Sequence, residues 1–86
     1  MEQEEIIARI SGLYPAAIID VAGQDCNFEV YVISENFAGM KTLQRQQSIL
    51  GLFQPELSTG KLHALTVKAK TPEEQNMNTG FVQIQL

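Results

Sequence analysis

Leu62-His63-Ala64-Leu65-Thr66-Val67-Lys68-Ala69-Lys70-Thr71-Pro72-Glu73-Glu74 alternates and then changes into a helix-start signal. His63, Leu65, Val67 and Ala69 fall on one side, with Thr66, Lys68 and Lys70 on the other. A period of two predicts a half-buried strand, beginning near Lys61. Thr71 can cap, Pro72 suits the first helical position and Glu74 completes a capping box, so a short helix follows. His63 takes the strand's first inward position. A histidine there is either a hydrogen-bonded core residue or a ligand at the sheet's rim.

Upstream of this strand the pattern is helical from about Met40 to Phe53, with Met40, Leu43, Leu50 and Phe53 as an apolar stripe. Pro55 ends or kinks that helix, and residues 56–60 add a short turn. Earlier still, Phe28 to Ser34 and Ala16 to Ala22 read as strands joined by turn chemistry in Gly23-Gln24-Asp25-Cys26-Asn27, an antiparallel hairpin. Residues 2–13 form a first helix through Ile6, Ile7, Ile10 and Leu13. Its acidic start suits the helix dipole, and Glu5 pairs with Arg9 one turn on.

A strand–helix–strand order requires a crossover, so the third strand runs parallel to a neighbour. The fold class is therefore α+β, with the order α-β-β-α-β-α, a three-stranded mixed sheet and helices mainly on one face. That order is shared with KH-like folds of the second topology. One domain covers residues 1–75. In the tail, 76–86, Val82, Ile84 and Leu86 alternate with glutamines, which leaves an extra strand, an intermolecular contact and a disordered end all open.

Eighty-six residues bury about two-thirds of the unfolded chain's surface, enough for one core. No apolar run reaches the roughly 18 residues that span a bilayer. The start, Met1-Glu2-Gln3-Glu4-Glu5, is acidic, unlike a targeting segment. A cytoplasmic protein with no membrane partner is expected. One cysteine, Cys26, excludes an internal disulfide framework. The net charge of −4 argues against a dedicated phosphate-backbone binder.

An enzyme is not expected. A thiol nucleophile needs Cys26 beside His63 with Asp20 or Asp25 orienting it, yet no local signature surrounds Cys26, and both aspartates read as hairpin residues. A KH-like nucleic-acid-binding regulator is the alternative, resting on Lys41, Arg45, Lys61, Lys68 and Lys70. The G-x-x-G clamp of KH domains is missing, since no two glycines stand three apart. One Cys and one His cannot close a four-ligand metal site alone. They can supply half the ligands of a two-iron cluster if a partner brings the rest.

The ordered set Phe28-Glu29-Val30-Tyr31-Val32-Ile33-Ser34, Phe37-Ala38-Gly39-Met40, Leu43-Gln44-Arg45-Gln46-Gln47-Ser48-Ile49, Leu62-His63-Ala64-Leu65 and Thr71-Pro72-Glu73-Glu74 resembles the BolA family. It looks most like the bacterial branch with Gln-Gln in the second helix, over roughly residues 4–75. The resemblance implies a KH-like fold and a heterodimer with a monothiol (CGFS) glutaredoxin. It implies a 2Fe–2S cluster shared with that partner and glutathione, for cluster trafficking and iron-linked regulation.

On this resemblance His63 matches the family's C-terminal histidine ligand, and Cys26 is the candidate second ligand. Members with a loop cysteine place it four residues before the strand aromatic, where this chain has Gln24. Members linked with DNA carry Arg-His-Arg in the second helix, and here Gln46 stands at the histidine position. A homodimer of the free chain is left open.

Overall fold

The computed structural model describes residues 1–76. Helix α1 spans Gln3–Leu13, strand β1 Ile18–Gln24 and strand β2 Asn27–Ile33. A single helical turn, Glu35–Phe37, leads to α2 (Thr42–Leu50). A second such turn, Gly51–Phe53, leads to α3 (Gln54–Thr59) and then to β3 (Ala64–Lys70). Residues 72–76 are helical. The helix expected from Met40 to Phe53 is thus α2 followed by the tighter turn, and the short turn expected over 56–60 belongs to α3, with Pro55 in its first turn. The reading of the tail falls, for 77–86, outside the described residues.

Strand order is β1-β2-β3, with β1 and β2 antiparallel and β2 and β3 parallel, as the crossover argument requires. The register lines up Val21, Val30 and Val67 in one row across the sheet and Gly23, Phe28 and Leu65 in the next. Phe28, Val30, Val32, Leu65 and Val67 are buried here against Ile6 and Ile10 of α1, Ile49 of α2, and Phe37, Phe53 and Leu62. The intervening rows, such as Asp20, Tyr31 and Lys68, face the other way and are exposed. One covered and one open face is what a half-polar alternation produces.

Two side-chain clusters lock the helices to the crossover. Tyr14 stacks edge-on against Phe37 at 4.8 Å, and its hydroxyl is 2.8 Å from that of Ser48. Arg9 pairs with Glu5 as expected and also donates to the Glu56 carboxylate at 2.7 Å and the Leu52 carbonyl at 3.1 Å. Its guanidinium lies 5.4 Å from the centre of the Phe53 ring. These bonds hold the Arg9 proton more tightly than usual and lower the Glu56 carboxyl.

The predicted stripe of α2 is out of phase. Leu43 is 63 % exposed, whereas Arg45 is only 7 % exposed and shares the inner side with Ile49. Arg45 donates to the Met40 carbonyl at 3.0 Å and the Ala69 carbonyl at 3.1 Å. It also grips both oxygens of Glu74, at 2.6 and 3.1 Å. Gln46 beside it donates to the Val67 carbonyl at 3.2 Å. Since β3 is an edge strand, its outward carbonyls would otherwise be open to another chain. Two side chains of α2 cover them.

Candidate functional site

The hairpin turn is two residues long, Asp25 and Cys26, rather than the five expected, because Gln24 pairs directly with Asn27. Asp25 adopts a positive φ of 62°, which an aspartate tolerates better than most residues. Gly23 has φ 105°, and a Cβ there would lie 2.3 Å from the Asn27 carbonyl oxygen. Only glycine fits, and the close approach fixes the turn that carries Cys26. The cysteine is half-buried and unpaired.

His63 does not occupy an inward strand position. It is exposed and lies in the bend just before β3, which starts at Ala64. Leu62, 1 % exposed, is the anchor of this bend, and its amide donates to the Glu56 carbonyl at 3.0 Å. The alternation holds from Leu65 onward and was extended one residue too far at its start. Beneath the imidazole, Gly60 takes a left-handed φ of 85°, and a Cβ there would stand 3.9 Å from His63 Nε2.

The parallel register brings the two candidate ligands together. The Cys26 carbonyl accepts from the His63 amide at 2.8 Å and from the Ala64 amide at 3.2 Å. Thirty-seven positions apart in sequence, the two residues are neighbours at one end of the sheet. A soft thiolate and an imidazole suit iron, zinc or copper rather than a hard cation. Among the described residues no group of three or more His, Cys, Asp and Glu is placed to hold a metal ion. Gln24, the position that the resemblance matches to a loop cysteine, ends β1 and is exposed.

Among the described residues the Cys26, His63 and aspartate triad is not assembled. Asp25 adjoins Cys26 in the turn, but Asp20 lies on the open face beside Tyr31 and Lys68. Among the described residues no carboxylate accepts a hydrogen bond from the His63 imidazole.

The five basic residues of the nucleic-acid reading do not form one surface. Arg45 is buried in its contacts with Glu74, Ala69 and Met40 and is withdrawn from any ligand-facing role. Lys61 borders a separate hollow with Glu5 and Glu56. Lys41, Lys68 and Lys70 share another hollow at the far end of β3. No helix among the described residues is long and apolar enough to cross a membrane.

The fold agrees with that of known proteins. The family described as BolA-like protein matches residues 15–74. The chain is 30 % identical over 74 residues to the acid stress protein IbaG of Escherichia coli (strain K12), covering 86 % of this chain and 88 % of that protein. The BolA domain of SufE1 from Arabidopsis thaliana superposes with a TM-score of 0.72 at 28 % identity, over 86 % of this chain and 98 % of the domain. A bol-like protein from Babesia bovis superposes with a TM-score of 0.77 at 23 % identity, over 92 % and 94 % of the two chains, a likeness of fold. No catalytic family is indicated.

Proposed function

This chain belongs to the BolA family, and we propose that it acts as a non-catalytic adaptor that pairs with a monothiol glutaredoxin of the CGFS type. In this reading the pair shares a 2Fe–2S cluster as cargo, and the work is cluster trafficking and iron-linked regulation in the cytoplasm. The observation that carries the reading is the backbone bond from the His63 amide to the Cys26 carbonyl, which makes a histidine and a cysteine backbone neighbours at one end of the sheet.

Two donors leave the second iron's ligands to come from outside the chain, from the partner's cysteine and glutathione. Exposure of His63 suits that role, because a ligand shared across an interface must reach past its own surface. An imidazole in place of a thiolate makes a cluster less negative and raises its potential. That chemistry favours handing a cluster on over carrying electrons at low potential. The turn holds Cys26, and the buried Leu62 anchors the bend that carries His63, so neither residue has to be gathered from a mobile loop.

The test is anaerobic reconstitution with a CGFS glutaredoxin, iron, sulfide and glutathione. A heterodimer with a visible cluster spectrum is expected, and His63→Ala should change that spectrum and speed cluster loss. An unchanged spectrum removes His63 as a ligand. Cys26→Ser leaving the spectrum intact would place the second ligand elsewhere, with Gln24 the next position to probe.

A further inference from the structure

Away from the Cys26–His63 rim, at the other end of β3, lies a hollow of about 530 Å³. Four of the chain's six Lys and Arg residues line it: Lys41, Arg45, Lys68 and Lys70, with Glu74 the sole acid. In a chain of net charge −4 this concentration is the reverse of the composition. The pairing pattern sharpens it. Among the described residues the ion pairs are Arg9 with Glu5 and Glu56, and Arg45 with Glu74. Lys61 is close enough to Glu56 to help lower its carboxyl. Among the described residues the lysines with no carboxylate within ion-pair distance and no carboxyl lowered by them are Lys41, Lys68 and Lys70, and all three border this one hollow. Lys68 lies 5.8 Å from the centre of the Tyr31 ring, and with Lys70 it also borders the open-face hollow that holds Asp20, with which neither forms an ion pair.

From this we infer that the hollow binds a small molecule carrying a diphosphate or longer phosphate chain. Three lysines bordering one hollow give it a positive potential, which draws an anion into it. The kind of cation selects the anion. A planar carboxylate is best held by a guanidinium fork, but the fork here, Arg45, is already closed on Glu74. Lysines are point charges with rotating donors, suited to the many oxygens of a phosphate chain. The volume lies within the roughly 300–1,000 Å³ of small-molecule sites. The Arg45–Glu74 pair gives one wall its rigidity and keeps Glu74 from neutralising the lysines.

The site shares no residue with the Cys26–His63 pair, so it stands or falls separately from the cluster reading. The test is titration of isotopically labelled protein with pyrophosphate at several salt concentrations, read by amide NMR shifts. Saturable shifts gathered at Lys41, Thr42 and the Lys68–Lys70 segment are expected, weakening as salt rises. The double variant Lys68→Gln, Lys70→Gln should weaken binding about tenfold or more, as loss of charged contacts does. Lys61→Gln should leave it unchanged.

Absence of saturation up to about 10 mM, the limit of a meaningful affinity, would overturn the proposal. So would shifts as large around Lys61, or an unchanged affinity in the double variant. Binding of a single-stranded oligonucleotide without binding of pyrophosphate would also overturn it, since the surface would then read a polymer.

Discussion

Replacing Arg45 by Ala puts the main departure from the sequence pattern to the test. Its side chain is 8 % exposed and donates to two backbone carbonyls as well as to Glu74. Truncation strips the Met40 and Ala69 carbonyls of a charged donor. Each loss costs about 1 kcal/mol, the low end for an unpaired acceptor, because the adjoining hollow lets water in. The guanidinium lies 5.7 Å from the centre of the Phe37 ring, worth roughly 0.5 kcal/mol more. Loss of the buried stem adds on the order of 0.5–1 kcal/mol. Nothing is added for the Glu74 pair, whose carboxylate is 44 % exposed. The sum is about 3 kcal/mol, a large part of the stability of a small domain.

Urea unfolding reads this directly. With a slope of about 1 kcal/mol per molar, the midpoint should fall by about 3 M with the slope itself unchanged. Arg45→Lys keeps a charge but not the fork and should fall between the two. The variant should also aggregate more readily on refolding, because the Ala69 carbonyl on the β3 edge loses its cover. An ordinary surface arginine predicts a change within about 0.5 kcal/mol. A result of that size would refute the account of Arg45 as a buried clamp.

Two further outcomes follow from the same contacts and from the hairpin. The Glu74 carboxyl is held down to about 2, first by its bond to Arg45 and then by the Thr71 amide. A depressed carboxyl stabilises the fold above its unfolded value, and that contribution is lost as pH falls from about 5 toward 2. Glu74→Gln should therefore flatten the acid side of a stability-versus-pH curve over that window, leaving the smaller slope due to Glu56; an identical curve would count against the pairing. Gly23→Ala places a Cβ 2.3 Å from the Asn27 carbonyl at φ 105°, a strain of about 2 kcal/mol or more. The melting temperature should drop by about 10 °C, with amide shifts centred on Asp25, Cys26 and Asn27; no drop would mean that the turn is not fixed by the glycine.

Much of the architecture was legible because its signals are local. The α1 face, the hairpin and the capping box at Thr71 each depend on residues within a few positions. The box is formed by the Thr71 amide and hydroxyl with Glu74, at 3.0 and 3.1 Å. Parallel pairing of β3 followed from element order alone. Arg45 was not legible, because its carboxylate partner lies 29 positions away and its carbonyl partners are set by packing. An arginine on the inner side of a helix breaks the apolar period, so the pattern was fitted to Leu43 instead. Phe37 stands outside any periodic segment, yet a single helical turn carries it to complete burial.

The candidate site shows the same division in sharper form. Residue types alone nominated Cys26 and His63, and ligand counting made them half of something larger. Their adjacency depends on one quantity that no local pattern encodes, the register of two parallel strands. Asn27 pairs with Ala64, and the residues just before each, Cys26 and His63, are therefore brought to the same end of the sheet. A slip of one residue would turn Leu65 and Val67 out of the core. The register is thus held by burial, through Phe28 opposite Leu65 and Val30 opposite Val67. The core that stabilises the domain also brings the two candidate ligands to one end of the sheet, so a mutation in either pair of buried residues acts on the candidate site without touching it.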